Sequence, residues 1–194
     1  MSATAWMDKA DETLERIRET QLDAIKRGAA LIADSIAKGG ALHYFDSGHA
    51  TGELLHRAGG LFAIHQIQFN VSVSHTKPPL HPAATGKGWY QDERAVAFML
   101  DQCHLREGDV LLQCSVTGSS AAVVEVALGM KKRGVKIVAV TSPTYSKAIK
   151  SSHPSGQFLY QIADVVIDNC GPAGDAAVDI PGLDAPAVPT SGLA

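Results

Sequence analysis

Residues 110–120, VLLQCSVTGSS, run straight into AAVVEVALGMKKRG, which ends at Gly134. This stretch decides the fold. Val110 to Cys114 is apolar except for Gln113. It is too short for a helix and suits a strand covered on both faces. Ser115, Thr117, Ser119 and Ser120 then place four hydroxyls around Gly118. Apolar residues recur at helical spacing from Ser119 to Arg133. Gly134 stops the pattern, because glycine readily takes the left-handed conformation that closes a helix. Strand, hydroxyl loop and helix make one βα unit. Val135 to Val140 (VKIVAV) is the next strand, so the two strands are expected to pair in parallel with the helix crossing between them.

The same alternation extends outward in both directions. On the amino-terminal side the spacing predicts a helix over 10–36, ended by Gly39-Gly40, and a strand over 41–45. A turn flanked by Gly48 and Gly52 leads to a helix over 53–62. A strand over 67–73 (IQFNVSV), a Pro- and His-rich loop over 74–88 and a helix over 89–105 complete that half. Toward the carboxyl end come a short helix over 145–150 and a strand over 164–167. The expected fold is α/β, a three-layer α/β/α sandwich around about five parallel strands. In such sheets ligands bind beyond the carboxyl ends of the strands. The loops after the strands are therefore the segments to search.

Composition bounds the function. The chain has 194 residues, 45% hydrophobic and 19% charged, with a formal net charge of −3. These values fit one globular domain and exclude a broadly basic nucleic-acid binder. No run approaches the roughly 20 apolar residues of a membrane span, and the charged start (residues 1–19) lacks the apolar core of a secretion signal. Cys103, Cys114 and Cys170 are widely spaced and odd in number, which points to free thiols and a cytoplasmic setting. Cys170 has no matching histidine constellation, so no thiol catalysis is expected.

The loop 115–120 is the first candidate site. A helix N-terminus carries free N–H groups and partial positive charge, and so favours anions. Hydroxyls add donors, and Gly118 lets backbone approach a ligand. A single Ser or Thr would serve as an N-cap; four exceed that need. The segment lacks the lysine of a Walker loop and is not a GxGxxG fingerprint. The second candidate loop is Asp46-Ser47-Gly48-His49-Ala50-Thr51-Gly52-Glu53, which faces the same end of the sheet. His49, Glu53 and His56 are spaced i, i+4 and i+7 on one helical face. Imidazole and carboxylate suit a divalent ion such as zinc, or Glu53 or a histidine serves as a general base. A first-turn glutamate that merely complements the helix dipole is the plainer reading.

Other positions carry a structural reading as their default. Ser142 and Thr144 are expected as caps, and His153 as a surface residue of the turn His153-Pro154-Ser155-Gly156. Asp168 and Asp175 are expected in Asx turns. Lys131, Lys132 and Arg133 sit where cations complement a helix C-terminus. The loop with His75, Lys77, His81 and Lys87 reads equally as a lid or interface arm and as a solvated connector.

The run Gly108 to Ala121, GDVLLQCSVTGSSA, resembles the core of SIS (sugar isomerase) domains. Their signature is an apolar strand followed by Ser-x-Ser/Thr-Gly-x-Ser/Thr and a helix. Ser115, Thr117, Gly118 and Ser120 match it position for position. The resemblance spans about Ala5 to Ala176. The chain is similar to phosphoheptose isomerases, and closer to uncharacterised SIS proteins with segments like HPSG (153–156) and DNCGPAGD (168–175). The resemblance implies a flavodoxin-like SIS sheet and a sugar phosphate held by Ser47, Ser115, Thr117, Ser119 and Ser120. It places His56 on the metal-binding histidine of phosphoheptose isomerases, and Gly60 where they carry a metal-binding, catalytic glutamate.

Three activities follow as expectations. The first is aldose–ketose isomerisation of a sugar phosphate, as in a phosphoheptose isomerase, with Glu53 or His56 as catalytic groups. The second is a non-catalytic phosphosugar sensor, which Gly60 favours. The third is an amino-sugar-phosphate lyase or etherase with Glu53 as base. The resemblance also implies a homodimer or homotetramer. The expected organisation is a helical oligomer contact over 1–40, the SIS domain over 41–176, and a Pro/Gly-rich tail over 177–194 that stops before a final helix of the family.

Overall fold

The computed structural model describes residues 2–47, 54–55, 59–61, 63–83, 85–86 and 88–191. Five strands form one wholly parallel sheet: β1 (Leu42–Asp46), β2 (Ile64–Gln66), β3 (Val110–Cys114), β4 (Lys136–Thr141) and β5 (Val165–Asp168), in the order β2-β1-β3-β4-β5. This is the flavodoxin-like order, with its switch point between β1 and β3. The register pairs Asp46 with Cys114 and Cys114 with Val140, so the loops after β1, β3 and β4 leave at one level.

Alternation along the strands divides the core in two. Phe45, Leu111, Ile137 and Ala139 face α3 (Glu93–Leu100) and α4 (Ala121–Lys132), where Val96, Leu100, Val123, Val126 and Met130 are buried. Leu42, Val110 and Val138 face the other way, onto Leu31 and Ile32 of α2 (Leu22–Ala37). Gly28 permits that contact to be close: a Cβ there would lie 3.0 Å from Val138 Cγ1. Both faces of the sheet are covered, as a three-layer sandwich requires. Among the described residues no helix is long and apolar enough to cross a membrane.

The opening helix expected over 10–36 is two helices, α1 (Ser2–Thr20) and α2, broken at Gln21. The polar side chain that interrupts the apolar stripe explains the break. Gln21 Oε1 accepts the Asp168 N–H at 2.9 Å, tying the helix junction to the end of β5. The strand expected over 67–73 is also corrected: the paired segment is Ile64–Gln66. Ile67 makes one further bond, to the Tyr44 carbonyl, and then the edge of the sheet is passed. Ile67 and Phe69 still pack inward, whereas Val73 is 88% exposed. The helix expected over 89–105 resolves into a 3-10 turn (Trp89–Gln91) and α3, because the Asp92 side chain caps α3 by accepting the Arg94 N–H. Two short helices complete the chain, α5 (Pro143–Lys147) and α6 (Leu159–Ile162), the latter absent from the periodicity reading. Residues 175–191 fold back on α1. Asp175 accepts the N–H groups of Thr190 and Ser191, and Trp6 Nε1 donates to the Pro189 carbonyl.

Candidate functional site

The hydroxyl loop lies where the alternation placed it, between β3 and α4. Its backbone is held from behind, one carbonyl after another. The Val116 carbonyl accepts from Ser142 N (2.8 Å) and Thr141 Oγ1 (3.2 Å). The Thr117 carbonyl accepts from Ser146 Oγ (2.7 Å). The Gly118 carbonyl accepts from Leu159 N (2.9 Å), and that of Ser119 from Ser152 N (2.8 Å). Four successive carbonyls are thus turned into the scaffold. Gly118 makes the path possible: its φ is +57°, and a Cβ would lie 2.8 Å from Leu159 Cβ. Such a loop is rigid before any ligand arrives, which lowers the ordering cost of binding.

The side chains divide into two groups. Ser120 is the N-cap of α4 and accepts the Val123 N–H. Ser115 Oγ accepts the Gly118 N–H at 3.3 Å. Ser119 donates to Thr117 Oγ1 at 2.9 Å and is buried. A cavity of about 560 Å³ opens beside the loop. Ser47, Ser115, Thr117 and Ser120 all line it, with Asp46 between them, whereas Ser119 does not. Ser47 reaches this position because its N–H bonds the Cys114 carbonyl at 3.2 Å. The volume falls in the range of small-ligand clefts. The opposite wall is Gln66, Gln68, Phe69, Trp89 and Tyr90. Sequence reading missed this wall. Its only signal is the aromatic pair Trp89-Tyr90 at the end of a Pro/Gly-rich loop.

His49, Glu53 and His56 lie outside the described residues, as does Lys87. Among the described residues no group of three or more His, Cys, Asp or Glu is arranged to hold a metal ion. Burial pushes the Cys114 thiol up to about 12, with the Asp46 carboxylate adding to it. A neutral thiol there is not a nucleophile.

His153 is not the surface residue expected of its turn; it is 8% exposed. Nδ1 lies 2.8 Å from Ser155 Oγ and accepts the Ser155 N–H. The proton therefore sits on Nε2, which donates to Glu125 Oε2 at 3.0 Å. This pair anchors the segment whose Ser152 holds the Ser119 carbonyl. Ser142 caps α5 by accepting the Tyr145 N–H. Asp168 accepts the Cys170 N–H in an Asx turn. Lys131 pairs with Asp164, and Arg133 with Asp101.

A second cavity, of about 650 Å³, lies along β2 and the segment that follows it, shares Gln66, Ile67, Gln68 and Phe69 with the first, and is lined by His43, His65 and His104 among others. Beside it Asp109 joins three segments: its carboxylate accepts from Ala41 N, Arg106 N and His43 Nε2. Burial pushes the Asp109 carboxyl up, but the Ala41 N–H, His43 and the Arg106 N–H outweigh it and hold it below the usual carboxylate range.

The sequence pattern of the SIS domain matches residues 5–142. A UPF0309 protein of Caldanaerobacter subterraneus subsp. tengcongensis is 37% identical over 180 residues, covering 90% of this chain and 71% of the relative. In fold, the chain is similar to the phosphoheptose isomerase GmhA from Neisseria gonorrhoeae. The TM-score is 0.59 at 15% identity, covering 86% of this chain and 83% of that one. It is also similar in fold to a protein of E. coli CFT073 in complex with A5P. There the TM-score is 0.53 at 16% identity, covering 98% and 81%. The strand, hydroxyl loop and helix at residues 110–132 stand inside the matched region, and the chain belongs to the SIS domain family.

Proposed function

We propose that this chain binds a phosphorylated sugar at the carboxyl edge of β1 and β3. Ser47, Ser115, Thr117 and Ser120 contact the phosphate, and Ser119 supports it through Thr117. The observation that carries the reading is the loop itself: its carbonyls are bonded to the scaffold, and its Ser115, Thr117 and Ser120 hydroxyls share one cavity with the N-terminus of α4. That arrangement puts donors and a positive dipole end where an anion would sit. The sugar-phosphate neighbours in fold support the identity of the anion.

The reaction we propose is aldose–ketose isomerisation. It requires a base to take the proton beside the carbonyl and return it to the neighbouring carbon through an enediolate. Glu53 or His56 is the proposed base, with His56 the proposed ligand if zinc takes part. A non-catalytic sensor is the second reading, favoured by Gly60 in the place of a glutamate. The exposed apolar residues Met7, Leu14, Leu22 and Ile25 of α1 and α2 support a homodimer or homotetramer, and sedimentation as a stable monomer would contradict it.

A thermal-shift screen of sugar phosphates, with and without zinc, tests binding, because a ligand specific for the folded state raises its stability. No shift with any of them overturns the binding reading. Turnover of sedoheptulose 7-phosphate separates isomerase from sensor. A Glu53→Gln variant that binds ligand without turnover supports Glu53 as the base; full activity removes it from the mechanism.

A further inference from the structure

The binding cavity has two unlike walls. One is the hydroxyl loop. The other is an aromatic chain running from the core to the surface. Phe45 meets Phe69 at 5.8 Å between ring centroids, and Phe69 meets Trp89 edge-to-face at 6.0 Å and 89°. Trp89 meets Tyr90 at 6.0 Å and 85°. Two edge-to-face contacts fix the Trp89 ring, and the 3-10 turn that carries it rests on α3 and α4. Sealing the core accounts for Phe69 and the buried part of Trp89. It does not account for Tyr90, which is 51% exposed yet lines the same cavity.

The lining chemistry narrows what fits between the walls. Among the described residues it includes no Lys, Arg or His; the polar side chains besides the hydroxyls and Asp46 are the amides of Gln66 and Gln68. One anionic group is matched at the helix N-terminus. The rest of the ligand meets neutral amides and aromatic rings. A sugar closed into a ring presents one face of C–H bonds, whose positive edges suit the negative face of an aromatic ring. An open-chain polyol has no such face. We propose that Trp89, supported by Phe69 and Tyr90, is a stacking platform that selects the cyclic form of a sugar phosphate. This rests on the sugar-phosphate reading above and adds the form in which the ligand binds and the residue that selects it. For isomerisation the bound ring then opens, the anomeric O–H losing its proton as the C–O bond to the ring oxygen breaks and that oxygen gaining one, before the base acts on the carbonyl form.

The chain has two tryptophans, Trp6 and Trp89, so a Trp6→Phe background makes Trp89 the sole indole reporter. In that background, five- to seven-carbon aldose phosphates are each titrated against their open-chain alditol phosphates, with inorganic phosphate alongside. The expected result is a change in Trp89 emission and about three- to tenfold tighter binding of the ring form. In Trp89→Leu, followed by thermal shift, that preference disappears while inorganic phosphate binds unchanged. Trp89→Phe keeps a ring and restores much of the preference, which separates stacking from a folding defect. Equal binding of ring and alditol phosphates, or a preference that survives Trp89→Leu, overturns the platform and leaves the anion site standing. No binding of inorganic phosphate or any sugar phosphate overturns both readings.

Discussion

Ser115 and Gly118 show how much of the site is set by single residues. Ser115 is buried and its hydroxyl holds the Gly118 N–H. In Ser115→Ala that N–H loses its partner, and the cavity loses a donor. We expect about 1–2 kcal/mol of stability lost and phosphate affinity down about tenfold, read by denaturant titration and by calorimetry. Gly118 is more severe. Its φ of +57° is strained for any side chain, and the space is already filled by Leu159 and Thr141. Gly118→Ala should cost about 2–4 kcal/mol and abolish phosphate binding, because Thr117 and Ser119 move with the peptide. Wild-type affinity in that variant would show that the loop path is dispensable.

At the scale of elements, the site is a loop clamped by two segments that arrive much later in the chain. Residues 151–159 hold the carbonyls of Gly118 and Ser119, and the buried His153–Glu125 pair holds residues 151–157 in place. His153→Ala leaves the Glu125 carboxylate buried without its donor, for a loss of about 2–3 kcal/mol. Phosphate affinity should fall with it, as the clamp loosens. Glu125→Gln retains an acceptor for Nε2 and should lose clearly less of both. Equal losses in the two variants, measured by thermal unfolding and phosphate titration, would show that the hydrogen bond is not what positions the loop.

Over the whole molecule, two bonded carboxylates, the buried Asp109 and the more exposed Asp164, tie segments together and set the response to acid. Asp109 bridges β1, β3 and the turn before β3, and its carboxyl is held below the usual range. Asp164 behaves alike: burial pushes its carboxyl up, while Lys131, the Ile137 N–H and Lys136 hold it down. A depressed folded-state pKa means that the unfolded chain binds the proton first. The stabilisation is complete above the ordinary carboxylate value and is lost as pH falls through the lower, folded value. Unfolding free energy should therefore decline below about pH 5. Asp109→Asn should be less stable at pH 7 and should show a shallower decline. A decline as steep as wild type would assign the acid sensitivity elsewhere.

The order of elements and the hydroxyl loop were legible in residues 110–140, because a strand buried on both faces and a capped helix each leave a local pattern. Boundaries shifted where one side chain competed with periodicity. Gln21 broke a helix to bond Asp168, and the apolar alternation after Ile67 ran on past the last available strand partner. The sequence by itself determined the βα alternation, the hydroxyls after Cys114 and the glycine that lets them turn. Only the tertiary structure decided that Ser47, Ser115, Thr117 and Ser120 share a cavity with Phe69 and Trp89, and that His153 is buried against Glu125. Those contacts join residues far apart in the chain, and no local spacing encodes a distance that exists only once the layers close.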